Sequence, residues 1–288
     1  MSPSTPARTV VVTGANSRTG RDLLPRLAGP GTRVLALVRT PHDLPADEVI
    51  PDWTRSSRAA AALGEASVVV HLSGVFAAPD WDGYEAGNVA TTRMVADAIS
   101  PGARVIYLSY VGADSAHGNW YIKSKGQAED LLRSCPADSV IFRIHPIVSG
   151  GDTPSPFELM FGQASPDVPV RIIGDGTQRF HPVHTCDVID ALANAVDGIG
   201  EPGVYDLVGP SGFPITQMVE MINGRPVPTA HVSVEQASAG PWPPRAVAEL
   251  LADPTQPAHP GVAARTFGLS LTPAEAGWPI HRATAHSG

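Results

Sequence analysis

The sequence predicts a doubly wound α/β protein with a smaller cap on its C-terminal side. Short β-branched runs alternate with longer amphipathic stretches as far as residue 144, and the first run passes through a glycine-containing turn straight into a helix. The loss of that rhythm after about Gly150 marks off the cap.

Residues 9–13 (TVVVT) form the first strand, since a short, continuous apolar run is what a parallel sheet covered on both faces requires. The next helix carries Leu23, Leu24 and Leu27 on one face and ends near Gly29-Pro30-Gly31. Strands follow at 33–38 (RVLALV) and, more briefly, at 48–50. A helix over 55–63 leads to a strand at 67–72 (SVVVHL), and a long helix over 84–99 leads to one at 104–108 (RVIYL). The last repeat joins a helix over 120–133 to a strand at 139–144 (SVIFRI). Units in this order give a parallel sheet with right-handed crossovers.

Helices over 157–163 and 186–196 and a strand at 203–208 follow, whereas 226–260 hold eight of the 29 prolines and read as irregular. The expected organisation is a unit of residues 1–150, to which 180–208 return, and a mostly helical or irregular cap of residues 151–288. Loops of this kind shape substrate pockets.

With 43% hydrophobic and 17% charged residues in a chain of 288, there is ample material for a core, which excludes a disordered chain. A formal net charge of −8 argues against a nucleic-acid partner. Two cysteines, Cys135 and Cys186, imply no disulfide framework and suit a reducing compartment. No apolar run approaches the ~20 residues of a membrane span, and residues 1–8 lack the basic and apolar regions of a leader. A cytoplasmic protein without membrane partners is expected.

The first strand runs into Thr13-Gly14-Ala15-Asn16-Ser17-Arg18-Thr19-Gly20 and then a helix. A tight turn that brings backbone amides to a helix N-terminus suits a pyrophosphate, so Gly14, Asn16, Ser17, Arg18, Thr19 and Gly20 are candidate dinucleotide-binding residues. Ser17 stands where the middle glycine of the fingerprint belongs. The second strand ends Val38-Arg39-Thr40 with no carboxylate for a ribose 2′-hydroxyl. Arg39, with Arg18 from the opposite side, can instead pair with a 2′-phosphate, so NADP(H) is expected over NAD(H). Asp52, after the third strand, is placed to meet the adenine or to serve as a turn residue.

Of the 20 basic residues 18 are arginine, and both lysines fall in Tyr121-Ile122-Lys123-Ser124-Lys125. Tyr121 and Lys125, four apart on a helix, share one face. An ammonium ~5 Å from a phenol at an effective dielectric of ~20 stabilises the phenolate by roughly 3 kcal/mol, about two pKa units. Tyr121 is therefore expected to be drawn toward the range useful for proton transfer. Lys123 reads as a solvated helix charge.

These motifs occur together with His71-Leu72-Ser73-Gly74, with Gly87-Asn88-Val89 before Thr91 and Thr92, and with YLSYVGA from Tyr107 to Ala113, in a fixed order. The ensemble resembles the short-chain dehydrogenases/reductases, in their extended and atypical branches, which include NAD-dependent epimerase/dehydratase and NmrA-like NAD(P)-binding proteins. His181-Pro-Val-His184-Thr-Cys186-Asp187-Val and Val204-Tyr205-Asp206-Leu207 before Gly209-Pro210 extend the likeness over roughly residues 9–215, and loosely to Gly277. The resemblance implies a Rossmann fold and a possible homodimer. It implies that Tyr121 is the catalytic acid/base, and that Lys125 binds the nicotinamide ribose and lowers the tyrosine pKa. It also implies that Leu72, Ser73 and Gly74 line the cofactor by backbone, and that the segment after Arg143 passes the nicotinamide. The usual Ser/Thr of the triad falls on Val111, leaving Ser109, Asp114, Ser115 or His117 to supply that group. Ser109 is taken as the catalytic candidate.

His181, His184, Cys186 and Asp187 are too loosely spaced for a metal site, and Asp187 suits the first turn of a helix. His117 and His145 read as pocket-facing or, more simply, as hydrogen-bonded structural histidines. No Gly-x-Ser-x-Gly elbow occurs, so acyl transfer lacks support. The five tryptophans read as core and cap residues. The expected activity is an NADP(H)-dependent oxidoreductase acting on a carbonyl or hydroxyl of a small, partly apolar substrate. The alternatives are an epimerase, dehydratase or isomerase with a tightly held cofactor, and a non-catalytic NADP(H) sensor.

Overall fold

The computed structural model describes residues 8–240 and 242–280; the first seven residues, in which no leader was read, lie outside it. Six strands, β1 (Arg8–Thr13), β2 (Thr32–Leu37), β3 (Glu48–Ile50), β4 (Val68–His71), β5 (Arg104–Tyr110) and β6 (Asp138–Ile144), join Gly203–Leu207 in one sheet. Its order is Gly203–Leu207, β6, β5, β4, β1, β2, β3, with every neighbouring pair parallel. The chain builds outward from β1 to β3 and then returns to the other side with β4. The order therefore reverses between β1 and β4, where doubly wound sheets open a crevice at their carboxyl edge.

Both faces of the sheet are covered, which explains its unbroken apolar runs. In β1, Val10 and Val12 pack with Leu23, Leu24 and Leu27 of α1 (Arg18–Leu27) and with Val188 and Leu192 of the helix Thr185–Val196. Val11 points the other way, into a cluster with Ala59 and Leu63 of α2 (Ser57–Glu65). Burying each such side chain contributes on the order of 2 kcal/mol. The expected long helix over 84–99 is instead three pieces: α3 (Trp81–Tyr84), a π-helical turn Glu85–Ala90, and α4 (Thr91–Ala98). The fifth helix, α5 (Trp120–Ser134), completes this layer through Ala128 and Leu132.

The C-terminal part has its own core around Phe161, Ile172, Phe180, Met218 and Leu251. Residues 226–260 are more regular than their prolines predict. They hold the strand Thr229–Val232, paired in parallel with Val170–Ile173, and the helices Val234–Ser238 and Arg245–Ala252. Among the described residues no helix is long and apolar enough to cross a membrane.

Candidate active site

The β1–α1 turn is built by two glycines that tolerate no side chain. Gly14 has φ +63°, and a Cβ there would lie 2.8 Å from the amide nitrogen of Ser73. A Cβ on Gly20 would lie 2.5 Å from the carbonyl oxygen of Ala15, so glycine lets α1 close onto the turn. Ser17, between them, is the N-cap of α1, its hydroxyl accepting the Gly20 amide at 3.1 Å. The departure from glycine is thus a helix cap. Among the described residues the amides of Asn16, Arg18 and Thr19 meet no protein acceptor, and they stand at the positive end of a ten-residue helix, as an anion requires.

Beside this turn lies a cavity of about 440 Å³, lined by Gly14, Asn16 and Ser17 on one side and Leu72, Ser73 and Gly74 on the other. It falls at the β1–β4 reversal and is of a size usual for ligand sites. Arg39 also lines it and, among the described residues, its guanidinium has no hydrogen bond or ion pair. Four expected cofactor residues of these segments fall outside the lining. Arg18 reaches away to the carbonyls of Thr153 and Pro154, where a strap of the cap meets α1. Asp52 is exposed at φ +46°, its backbone tied to Arg39 and Arg55, so it is the turn residue. Its neighbours Trp53 and Thr54 line the cavity instead. Thr19 and Gly20 sit in the first turn of α1, just outside the lining.

The chain leaving β4 is held by a directed set of hydrogen bonds. The Ser73 amide donates to the Thr13 hydroxyl at 3.2 Å, and that hydroxyl lies 2.7 Å from Nδ1 of His71. On the far side Nε2 lies 2.9 Å from the Thr92 hydroxyl, which itself donates to the Asn88 carbonyl at 2.7 Å. Thr92 must therefore accept from Nε2–H, leaving Nδ1 to accept from Thr13: His71 is neutral. Burial, helped by the charge of Lys125, pushes it down to about 3.

Tyr121 and Lys125 stand one turn apart on α5, both buried. The phenol ring meets Phe76 edge-on at 5.2 Å and Tyr110 at 5.5 Å, with Tyr84 at 6.1 Å. Its hydroxyl has no protein partner among the described residues, and burial holds its pKa well above the ordinary value. This reverses the expected lowering. The Lys125 ammonium is 5.9 Å from the Tyr121 ring centre and spends its bonds on the Tyr107 hydroxyl (3.1 Å) and the Leu108 carbonyl (2.9 Å). Burial brings Lys125 down to about 8, against the pull of Glu129. Lys123 lies over the Trp81 ring at 4.7 Å, not in open solvent.

Ser109 is not brought to the crevice. Its hydroxyl donates to Glu129 at 2.6 Å, and Glu129 is paired with Arg143 through contacts of 2.9 and 2.7 Å. Asp114 accepts the Ala116 amide, and His117 accepts the Asn119 amide while lining a second cavity of about 620 Å³ beside the cap helix Arg245–Ala252. Ser115 is half-buried. His145 has a structural part. Nδ1 accepts the His181 amide and Nε2–H donates to the Thr255 carbonyl, both at 2.9 Å, and burial lowers its pKa to about 4. Asp187 opens its helix and accepts the amide and hydroxyl of Thr272.

Three residues have positioning roles that the sequence did not assign, although Asn88 stands in one of the motifs quoted above. Asn88, fully buried in the π-helical turn, accepts the Val75 amide, donates to the Val75 carbonyl and donates to Ser124 at 2.8 Å, joining the β4 exit to α5. Asn119 caps α5 and also binds the Ala246 carbonyl and Glu249 of the cap. Glu158 receives the amides of Ser149, Gly150 and Ser155 and the indole N–H of Trp278 at 2.6 Å. The π turn has no signature in composition, although an amide side chain followed by two threonines was a visible cue.

No family model matches the chain. It is 32% identical over 201 residues to the ceramide reductase of Caulobacter vibrioides, covering 67% of this chain and 62% of that protein. The chain spans about three fifths of the length of the curated relatives it matches. Among solved structures it is similar to the UDP-glucuronic acid 4-epimerase of Bacillus cereus in complex with UDP-glucuronic acid and NAD (TM-score 0.70, 19% identity, 93% of this chain and 96% of that one). It is also similar to the human epimerase family protein SDR39U1 with NADPH (TM-score 0.68, 19% identity, 93% and 97%). Over that span the architecture is the same.

Proposed function

We propose that this chain, which has the fold of the extended short-chain dehydrogenases/reductases, is a nicotinamide-dependent reductase in which Tyr121 protonates the oxygen of a small, partly apolar carbonyl substrate. The relatives support the coarser reading, since those named are a reductase and NAD- or NADPH-bound proteins of the epimerase type. The residues present fit the dinucleotide: two glycines without room for a Cβ, three amides with no acceptor among the described residues at a helix N-terminus, and the adjoining cavity. When bound, the nicotinamide would supply the hydride.

One observation carries the direction and the role. The phenol of Tyr121 is buried, kept protonated, and has no acceptor among the described residues. A protonated group without a partner serves as a general acid, which suits reduction better than oxidation. Lys125 places a positive charge beneath it, which favours the phenolate left once the proton is given up. The apolar surroundings, Phe76, Val75, Ala78, Ala246 and Leu250, keep water away and favour an apolar substrate over a nucleotide sugar. Arg39 favours NADPH, because a guanidinium with no partner among the described residues beside the crevice suits a 2′-phosphate.

The test is NADPH consumption over a panel of aliphatic and aromatic aldehydes and ketones, with cofactor binding followed by fluorescence. Steady loss of NADPH supports the reading. Tight NADPH binding with no turnover on any member overturns it. That outcome would favour a sensor, a second reading favoured by the engagement of Ser109 with Glu129.

A further inference from the structure

A buried ammonium is normally matched by a carboxylate, because burying an unpaired charge is costly. Lys125 is 8% exposed and has no ion pair among the described residues. The nearest candidate, Glu129, lies one turn further along α5, but both its oxygens are engaged by Arg143 and one also by Ser109. Two neutral acceptors hold the lysine instead: the Leu108 carbonyl at 2.9 Å and the Tyr107 hydroxyl at 3.1 Å. Tyr107 is itself fixed. It is 1% exposed and its ring stacks on His71 at 5.5 Å. Through that stacking the phenol packs on the histidine whose bonds to Thr13 and Thr92 fix the β4 exit.

We propose that Tyr107 is a positioning residue that holds the Lys125 ammonium without neutralising it, so that its remaining N–H faces the crevice at Gly74. A Cβ on Gly74 would lie 3.8 Å from Lys125 Nζ, and Gly74 lines the cavity. Neutral acceptors fix a cation while leaving its field available, whereas a carboxylate would cancel it. This rests on the dinucleotide reading of the crevice, where a directed, uncompensated ammonium meets a ribose hydroxyl and a phenolate. The charged and titratable groups facing Lys125 are Tyr107 on β5, His71 on β4, Tyr121 and Glu129 on α5, and Arg143 on β6 behind Glu129.

The chain has only two lysines, so protein labelled with 13Cε-lysine gives two signals and reads Lys125 without substrate, with Lys123 as an internal reference. In Tyr107→Phe, which keeps the ring and removes the acceptor, the Lys125 midpoint is expected to fall by at least about half a pH unit, as loss of a charge-assisted hydrogen bond requires. The Lys123 midpoint should stay in place. A folded Tyr107→Phe protein with an unmoved Lys125 midpoint overturns the proposal. Should that variant not fold, 13Cζ-tyrosine labelling of the Tyr121→Phe protein decides. One remaining phenol signal must shift at the Lys125 midpoint, and its absence overturns the proposal. Addition of NADPH then separates the two claims: lysine signals that ignore NADPH count against the dinucleotide reading and leave the Tyr107 result standing.

Discussion

The Ser109 hydroxyl donates to Oε1 of Glu129 at 2.6 Å, and both residues are 1% exposed. Their contact places on a structural carboxylate the one hydroxyl of β5 that the sequence offered to the reaction. Ser109→Ala is therefore expected to lower unfolding free energy by about 1–2 kcal/mol, because Glu129 loses a donor in a dry site. Turnover should stay within about twofold, since removing a merely structural bond leaves the reacting groups in place. Urea unfolding and NADPH consumption check this together, and a large loss of turnover at unchanged stability would return Ser109 to the chemistry.

In the proposed reaction Tyr121→Phe would remove the proton donor and little else, as the hydroxyl has no protein partner among the described residues. Turnover should fall at least ~100-fold, the scale of a lost general acid. NADPH affinity measured by fluorescence should hold within about threefold, since the phenol forms no part of the cavity lining.

Arg39→Ala should weaken NADPH by roughly 10–100-fold, the worth of one charge-assisted pair. NADH should bind as before. Parallel titrations with the two cofactors read the difference, and equal losses for both would remove Arg39 from the 2′-position.

Acid should unfold this protein early. His71 is held to about 3 and His145 to about 4 in the fold, both below the ordinary 6.5, so the unfolded chain binds protons that the folded one refuses. Each histidine contributes stability that is fully present above pH ~6.5 and is lost as pH falls toward its folded value, at about 1.4 kcal/mol per pH unit. Between about pH 6 and 4.5 the two slopes add. Thermal midpoints across that range should fall steeply, and less steeply in His145→Gln, whose amide can accept and donate as the neutral ring does.

Much of the fold was legible because its driving force is local in sequence. Runs such as TVVVT and RVIYL state their burial on both faces by composition alone, and the β1–α1 turn announces itself through Gly14 and Gly20. The cap was less legible. Thr229–Val232 pairs with Val170–Ile173 across some sixty residues, and nothing in either segment names its partner. At the site, spacing placed Tyr121 and Lys125 on one face of α5, but it could not say where each side chain spends its bonds. The ammonium turned to Tyr107, Arg18 turned to the cap, and Asp52 took a left-handed turn. Each outcome depends on contacts between distant segments.

Glu158 gives the far end of the chain a stake in the crevice. Its carboxylate grips the indole of Trp278 and, at the same time, the backbone on both sides of the strap whose tip Arg18 clasps. Segments some 120 residues apart hang from one peg. Cutting the chain ahead of Trp278 would remove no crevice-lining residue, yet it would free the carboxylate that holds the strap beside the β1–α1 turn, so Trp278 belongs to the crevice's support.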